Sequence, residues 1–537
     1  MNPSQRRLFT LGERPPWWLW VLALAVVSLY FLAETRVVGS DWGFPLDDSW
    51  IHLQFARNLA SGAGLSFDGI EPSTGATSPL WAALVSLLFF LPGSAAGWTK
   101  LLGVLLYLGT VKTTWELGRE LDLSPPFRLL ASVLTLATAW LAWSALSGME
   151  VLLFTVLSIG GMTLHLRERR HPDRLPLALA VFGIASLARP EGLLLLALAA
   201  ADRLLLPAPA AAGATSRRPF PKLLLGLLLA LAVVAPAAIA YTLLSGSPLP
   251  GTFGAKTWVD RSWLPDLRYL HVVLGIFFKP HPWMTLLAAG GAFTLLRRLG
   301  TERDHGLLPA LWVLALPPAY SLLSPPGTTL VGNFGRYFFP LFPLLVLLGT
   351  LALEEATRAL PERLRLGRWR TPLAAVAVAL LLWPTAVMLW RYREFYATNV
   401  RQVHESDVRM ARLVAARLPP DALVAVEDIG AFKYFAPQPI VDLVGLVSPD
   451  VLTLKRQAAL TSDSGGNREM SAFLEARKPD FALVFSNFRP EIFGDRTRYR
   501  PLLEIPVAGN ITMAGESLVL LVTPWCRVPP SRLESPP

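Results

Sequence analysis

Long apolar segments recur along the first 390 positions of this 537-residue chain. A helix crosses the hydrocarbon core of a bilayer when about 20 consecutive residues are mainly apolar, and several segments reach that length. Only 16% of the residues are charged, whereas soluble domains usually carry about 25%. Many of the 18 Trp residues stand near the ends of these segments, where interfacial aromatics are common. The sequence therefore predicts an α-helical polytopic membrane protein.

The basic residues show which ends of the segments face the cytoplasm. The formal charge is +10, but the Arg residues form short clusters between apolar segments, which is typical of the positive-inside rule rather than of nucleic-acid binding. No nucleic-acid partner is expected. With one cysteine, Cys526, the chain cannot form an intrachain disulfide. The clusters are Arg6 and Arg7; Arg167, Arg169 and Arg170; Arg217 and Arg218; Arg297 and Arg298; and Arg363 to Arg370.

Placing these clusters inside predicts about eleven crossings, with the C-terminus outside. Residues 79–117 fit either two crossings or a single crossing that follows an interfacial helix. The positions of the charges favour the single crossing. Residues 49–61 predict a short helix on the outer interface, capped by Asp48 or Ser49. The other helices are expected at 17–34, 127–145, 149–166, two within 175–206 broken at "ARPEG", 223–244, 270–296, 307–323, 336–354 and 372–390.

The last part of the chain has a different pattern. Residues 1–390 form the predicted transmembrane domain, and residues 391–537 lack further spans. There "ESDVRMARLVAARL" predicts an amphipathic helix, and "ALVAVE", "PIVDLV", "FALVF" and "SLVLLV" predict strands. We expect a small extracytoplasmic α/β domain.

This topology gathers scattered charges at the outer face. Ionisable groups beside hydrocarbon are costly to desolvate, so they mark a substrate path or a paired site. Each group also has a structural interpretation: one aspartate caps the short helix, Arg189 and Glu191 pair across a kink, Glu150 and His52 are interfacial polar groups, and the other cations lie at helix ends. The gathered residues are Asp47, Asp48, His52, Glu150, Arg189, Glu191, Lys256 and Arg336.

Carboxylates beside cations suit the transfer of a sugar from a lipid phosphate. A carboxylate can take the proton of the acceptor hydroxyl while cations stabilise the departing phosphate. Carboxylates also bind divalent ions such as Mg²⁺ or Mn²⁺. The sequence has no phosphate-binding Gly-rich loop before Lys-Ser/Thr, no zinc-type Cys/His spacing and no nucleophile elbow.

Several motifs, in this order, resemble the GT-C superfamily of polytopic glycosyltransferases, especially arabinofuranosyltransferase-like and mannosyltransferase-like members. They are "PLDDSWIHLQFARNLASGAGLSF", "TSPLW", "SGMEVLLF", "LARPEG", "PLPGTFGAK", "GRYFFPLFPLL" and, near the C-terminus, "VAVEDIGAFKYFAPQPIVDLVGLVSPDV". The resemblance implies an inverting enzyme of the bacterial cytoplasmic membrane that faces outside. It would move a sugar from a polyprenyl phosphate to an envelope glycan, lipid or protein.

The resemblance also implies roles for the gathered residues. Asp47 or Asp48 would be the base, Glu150 would assist, and these three carboxylates could hold a divalent metal ion. His52, Arg189, Glu191, Lys256 and Arg336 would bind substrate. Within the acidic pair we expect Asp48 to cap the short helix and Asp47 to carry the chemistry. Two other functions stay open, namely a transporter of lipid-linked saccharides and a non-catalytic envelope assembly factor.

Overall fold

The computed structural model describes residues 14–171, 174–206, 220–251, 264–323, 334–359, 370–448, 450–451, 453–454 and 466–529. The described chain is mainly helical and carries one small sheet near its C-terminal end. Lys256 lies outside the described residues.

The helical part follows the predicted order of segments. Its helices are α1 (Trp17–Val38), α2 (Asp47–Ala60), α3 (Pro79–Ser86), α4 (Ala95–Glu120), α5 (Pro125–Leu136), α6 (Ala139–Leu146), α7 (Val151–Arg170), α8 (Leu177–Ala188), α9 (Gly192–Leu205), α10 (Phe220–Ser245), α11 (Leu267–Phe278), α12 (Pro282–Arg298), α13 (Leu308–Leu323), α14 (Phe342–Ala359) and α15 (Arg370–Val403). Short 3₁₀ segments cover Leu87–Phe90 and Arg336–Leu341. The two short helices predicted on either side of "ARPEG" are confirmed as α8 and α9.

Two helices that were predicted to be continuous are broken. The segment predicted at 270–296 turns by 110° between α11 and α12, where Pro280 and Pro282 cannot donate backbone hydrogen bonds. The segment predicted at 127–145 bends by 56° between α5 and α6. The two breaks meet at one buried side chain, because His281 Nε2 lies 2.7 Å from Thr138 Oγ1. These tertiary contacts explain why a single-helix prediction was wrong.

Within the described ranges, five helices are long and apolar enough to cross a membrane, or seven if each bent pair is one span. The prediction of about eleven crossings, and the orientation that follows from it, stays a prediction.

The ends of α7 show how the charges are separated. Glu150 precedes its first residue and Arg167 lies in its last turn, so a helix of 20 residues, about 30 Å long, separates the acidic and basic ends.

The last long helix runs from the bundle into the C-terminal domain without a break. α15 continues through a π-helical turn, His404–Val408, into α16 (Arg409–Arg417). The whole stretch Ala375–Arg417 is one 43-residue helical element. The domain boundary predicted at residue 391 therefore falls inside a helix, and the predicted amphipathic helix forms its last turns.

The C-terminal part contains a five-stranded sheet of order β2-β1-β3-β5-β4. Its strands are β1 (Val424–Val426), β2 (Ile440–Asp442), β3 (Phe481–Phe485), β4 (Arg500–Pro506) and β5 (Ser517–Val522), and its helices are α17 (Ile429–Phe435), α18 (Asn467–Arg477) and α19 (Pro490–Phe493). β1 pairs in parallel with β2 and β3, whereas β5 runs antiparallel to β3 and β4. The four predicted strands are confirmed, but β4 has no prediction because this largely exposed edge strand lacks a regular apolar pattern.

The short helix α2 joins the bundle to the sheet domain. Trp50 and Leu53 pack in the bundle core, whereas Ile51 and Phe55 pack in a second core with Val426 and Leu483 of the sheet. A helix buried on both sides was not expected, since the sequence predicted that this segment lies on the membrane interface. The first turn of α2, which carries the acidic pair, therefore lies between the bundle core and the core of the sheet domain.

Candidate active site

The acidic pair occupies the first turn of α2. The helix begins at Asp47, and the residue that precedes it, Leu46, has an extended backbone and offers no side-chain cap. The prediction that Asp48 caps this helix is therefore wrong. Both carboxylates near the helix N-terminus remain favourable, because the backbone N–H groups there are partly positive.

Asp47 is turned toward the sheet domain. Its Oδ2 accepts a hydrogen bond from the backbone N–H of Gly430 at 2.7 Å, and its Oδ1 accepts one from Ala431 at 2.6 Å. Burial raises the pKa of Asp47 to about 6, the two amides oppose this rise, and the charge of Asp48 adds to it. Asp47 therefore caps a helix, although the helix is α17 in the other domain.

Asp48 faces a buried cation. Arg336 Nη2 donates to Asp48 Oδ2, and the Arg336 side chain is 3% exposed while that of Asp48 is 30% exposed. The Nε and Nη1 atoms of Arg336 are also buried, and neither has a hydrogen-bond acceptor within the described part of the chain. Arg336 thus has two N–H-bearing atoms for which the described residues supply no partner.

A strained turn places Arg336 at this point. The two residues before it, Phe334 and Gly335, have left-handed φ values of 51° and 70°. A Cβ at position 335 would lie 2.2 Å from Ile276 Cδ1, so glycine meets both the conformational and the spatial demand. Strained backbone of this kind is often found at functional sites.

The "SGME" turn brings Glu150 beside α2. Ser49 Oγ donates to the carbonyl of Ser147 at 2.6 Å, and Trp81 Nε1 donates to the carbonyl of Gly148 at 3.0 Å. His52 Nε2 then lies 3.2 Å from Glu150 Oε2. One turn of the chain between α6 and α7 is in this way fixed to the helix that carries the acidic pair.

Arg189 connects Glu150 to the "ARPEG" bend. Its Nη1 donates to Glu150 Oε1 at 2.8 Å and its Nη2 to Glu191 Oε1 at 2.6 Å. The guanidinium lies 4.9 Å from the centre of the Tyr337 ring, and Tyr320 also contacts Glu191 through its hydroxyl. Despite burial, the charges of Glu191 and Glu150 raise the pKa of Arg189. Arg189 is a fixed, permanently charged group.

The same contacts keep Glu150 ionised. Burial alone would raise the pKa of Glu150, but the hydrogen bond with His52 and the charges of Arg189, His52 and Arg336 lower it to about 2. A carboxylate with so low a pKa is a weak base at neutral pH. It is better suited to stabilising positive charge.

The structure therefore divides the predicted site residues into three groups. Asp48 pairs with Arg336, and His52, Glu150, Arg189 and Glu191 form one network. Asp47 is bound to the sheet domain instead. Tyr320 and Tyr337 were not predicted as site residues. Tyr337 could have been found, because it directly follows Arg336 in the "GRYFF" motif, but "PPAYSLL" gives no signal for Tyr320.

The three carboxylates predicted as metal ligands do not converge. Asp47 accepts backbone amides, Asp48 faces Arg336 and Glu150 faces Arg189. Within the described ranges, no three side chains of Asp, Glu, His or Cys are arranged to hold a metal ion. This donor set does not fit a divalent-ion site, and the chemistry proposed below uses the protein's own side chains.

The whole chain matches solved structures of one fold. ArnT from Cupriavidus metallidurans in the apo state aligns with a TM-score of 0.58 at 15% identity, over 93% of this chain and 97% of that one. ArnT from the same organism bound to undecaprenyl phosphate aligns with a TM-score of 0.55 at 15% identity, over 96% and 99%. This chain has the GT-C fold. With its long apolar helices, it is an integral membrane protein.

A second kind of GT-C structure aligns less completely. The apo oligosaccharyltransferase of Archaeoglobus fulgidus has a TM-score of 0.50 at 12% identity, over 86% of this chain and 69% of that one. Residues 393–521 match a family model described as a domain of unknown function, DUF8728. No curated protein sequence matches the chain. The GT-C likeness therefore rests on the three-dimensional arrangement, which includes the sheet domain in the ArnT alignments.

Proposed function

We propose that this protein is an inverting glycosyltransferase that moves a sugar from a polyprenyl-phosphate donor to a hydroxyl group of an envelope glycan, lipid or protein. The reaction would take place at the outer face of the bacterial cytoplasmic membrane. The fold supports this proposal because one of the ArnT structures contains undecaprenyl phosphate. The fold alone does not specify chemistry, so the argument depends on the site.

Arg336 is the observation that carries the proposal. A buried guanidinium with unpartnered Nε and Nη1 atoms is a costly arrangement unless a ligand completes it. The planar Arg fork matches the oxygens of a phosphate, and it keeps its charge when desolvated. We infer that Arg336 binds the donor phosphate through Nε and Nη1, for which the described ranges contain no acceptor.

Asp48 is the base in this proposal. As the acceptor oxygen attacks the anomeric carbon, Asp48 takes the hydroxyl proton, and the bond from the anomeric carbon to the phosphate oxygen breaks. The bonding electron pair leaves with the lipid phosphate, whose additional negative charge Arg336 stabilises. Attack from the side opposite to the leaving group inverts the anomeric centre. The assignment reverses the initial preference for Asp47, because the carboxylate of Asp47 is already hydrogen-bonded to α17.

Donor binding would also make Asp48 a better proton acceptor. Arg336 Nη2 would keep its contact with Asp48 while the donor phosphate occupies Nε and Nη1, so the two anions compete for the charge of one guanidinium. The negative charge of the phosphate disfavours the ionised form of Asp48 and makes this carboxylate a stronger base. Glu150, which stays ionised, would stabilise positive charge that develops on the sugar during transfer.

The experiment measures binding and transfer separately in the purified protein in lipid nanodiscs. Asp48→Asn keeps size and removes the charge, so transfer from a radiolabelled polyprenyl-phosphate sugar should fall by about two to four orders of magnitude. Binding of undecaprenyl phosphate should stay equal or become tighter, because the competing carboxylate is gone. Arg336→Gln should weaken both binding and transfer.

Asp41→Asn is the matched control, since Asp41 lies in the segment just before α2 but pairs with Arg412 outside the site. It should keep binding and transfer. Wild-type transfer in both the Asp48→Asn and the Arg336→Gln proteins would contradict the mechanism. Translocation of the lipid without any covalent product would instead indicate a transporter.

A further inference from the structure

Three polar side chains that the mechanism does not use are buried together near residues 39–46, the segment before the acidic pair, which we call the acidic loop. Lys100 of α4 donates from Nζ to Glu34 Oε2 of α1 at 2.8 Å and contacts the hydroxyl of Tyr396 of α15 at 3.0 Å. The Tyr396 hydroxyl donates to the same Glu34 oxygen at 2.6 Å. Lys100 is 2% exposed and Glu34 is 1% exposed. We call these three residues the buried triad.

Such an arrangement is not needed for stability alone. Desolvating two charges costs about as much as their attraction returns, and apolar residues of the same volume often stabilise a core equally well. Within a membrane bundle, ionisable groups are by default associated with function. The remaining contacts of the triad show what it does.

Each charged member also binds the backbone of a loop that leads to the site. Lys100 Nζ donates to the carbonyl of Leu146 at 3.0 Å, and Leu146 ends α6 directly before the "SGME" turn. Glu34 Oε1 accepts from the backbone N–H of Gly43 at 3.4 Å, in the segment that leads to the acidic pair. The Lys100 ammonium lies 4.9 Å from the centre of the Phe44 ring.

The two loops also touch each other above the triad. A Cβ at Gly148 would lie 2.5 Å from Phe44 Cε1, which shows how closely the "SGME" turn packs on the segment before Asp47. The buried ion pair therefore joins the segment before Asp48 to the segment before Glu150, in addition to the direct hydrogen bond from Ser49 to Ser147. Arg336, by contrast, lies in a 3₁₀ segment with which the triad makes no described hydrogen bond.

We propose that Lys100, through Glu34 and Tyr396, is a positioning residue that sets the distance between the acidic loop and the "SGME" turn. This inference rests on the proposed function where it concerns transfer. A displacement of about 1 Å in reacting groups can lower a rate roughly 100-fold. Loss of the triad should therefore lower kcat, while the binding of undecaprenyl phosphate through Arg336 stays the same.

The test uses variants of the full-length protein that remove the charges together. Lys100→Met alone leaves a buried carboxylate and should be unstable, so the informative protein is the double variant Glu34→Gln with Lys100→Met. It should unfold near the wild-type temperature, bind undecaprenyl phosphate normally and lose roughly 100-fold in kcat. Hydrogen–deuterium exchange should become faster in residues 43–49 and 146–151, but not in α14.

Two further variants keep the result interpretable. Tyr396→Phe removes one hydroxyl and should show the same changes in smaller measure even if the double variant does not fold. Arg203→Met with Glu168→Gln removes an ion pair near the other end of α7 and should change neither kcat nor exchange in the two loops.

The exchange measurement separates the two proposals. If the wild-type protein transfers no sugar, the proposed function fails, and the exchange rates of the two loops still decide whether the triad positions them. The inference is wrong if the double variant has the wild-type kcat and wild-type exchange rates in both loops, because the triad is then only a packing feature. If the double variant does not fold, the same result in Tyr396→Phe overturns the inference.

Discussion

The backbone N–H of Gly430 lies 2.7 Å from Asp47 Oδ2, although 383 positions separate the two residues. This contact is one of several between α2 and α17, since Arg57 Nη1 also donates to the carbonyl of Tyr434 at 2.9 Å and Trp50 packs against Tyr434 and Phe435. The sheet domain is therefore a structural part of the candidate active site, and changes within it should affect transfer.

Gly430→Ala should displace this contact. A Cβ at position 430 would lie 2.3 Å from the Asp47 carbonyl oxygen and 2.8 Å from Oδ2, so α17 must move away from α2. We expect a loss of about 1 to 3 kcal/mol in unfolding free energy, with lower transfer. Gly275→Ala, where a Cβ meets nothing within 4 Å, is the control. Equal transfer in both proteins would show that the contact has no role in catalysis.

Replacing Asp47 and replacing Asp48 by Asn should affect different properties of the protein. Asp47→Asn keeps an oxygen that can accept one amide hydrogen bond, so the main effect should be on stability, with a smaller loss of transfer. Asp48→Asn should lose transfer and keep stability. Both are measured by thermal unfolding and by single-turnover transfer. The reverse order of the two transfer losses would return the role of base to Asp47.

Arg189→Gln should change how activity depends on pH. The charge of Arg189 helps to keep the pKa of Glu150 at about 2, so its removal raises that pKa and Glu150 becomes protonated as the pH falls. We expect the acidic limb of the pH–rate profile to move to higher pH, along with a lower plateau. Arg189→Lys, which keeps the charge but loses the fork, should restore the limb but only part of the plateau. An acidic limb that does not shift in Arg189→Gln would show that Arg189 does not control the ionisation of Glu150.

The carboxylates near β1 should make the protein less stable at alkaline pH. Burial raises the pKa of Glu427 to about 7, against an opposing hydrogen bond from Phe485, and burial with the charges of Asp47 and Glu427 raises the pKa of Asp428. A carboxyl group whose pKa is higher in the folded state stabilises the protein when the pH is below the pKa of the unfolded state. For Glu427 this contribution is lost as the pH rises from about 4.5 to about 7.

Glu427→Gln should therefore be more stable than wild type above pH 7 and equal to it near pH 4.5. The upper bound of the gain is about 3 kcal/mol, the free-energy equivalent of the shift in pKa. Denaturant unfolding at the two pH values measures it. A gain of the same size at both values would mean that packing, and not ionisation, explains the effect.

Much of the local structure could be predicted from apolar periodicity. The bend at Arg189 and Pro190 follows from the Pro between two short apolar runs, and the strands β1, β3 and β5 follow from runs of buried apolar residues. The acidic loop, the "SGME" turn, the "ARPEG" bend and Arg336 were also expected at one site, and the described geometry brings Asp48, Glu150, Arg189 and Arg336 together.

What could not be predicted depends on contacts between distant residues. Asp48 would be a good helix cap by residue type, but the chain enters α2 one residue earlier and both aspartates fall inside the first turn. The partner of Asp47 is a backbone amide of another domain, which leaves no pattern in sequence. At the break near His281, the imidazole contacts the hydroxyl groups of Thr138, which lies between α5 and α6, and of Thr385 in α15. Lys100 and Glu34 did offer a signal, because each is a charge in an apolar segment.

The helical element Ala375–Arg417 has a mechanical consequence. At 43 residues it is about 65 Å long, and it runs from the bundle directly into the domain that holds Asp47. A continuous helix resists twisting in a way that a flexible tether does not, so a torque applied to the sheet domain would turn the part of the same rod that packs in the bundle. Rotation of the sheet domain and rotation of this helix against its neighbours in the bundle would then be a single motion.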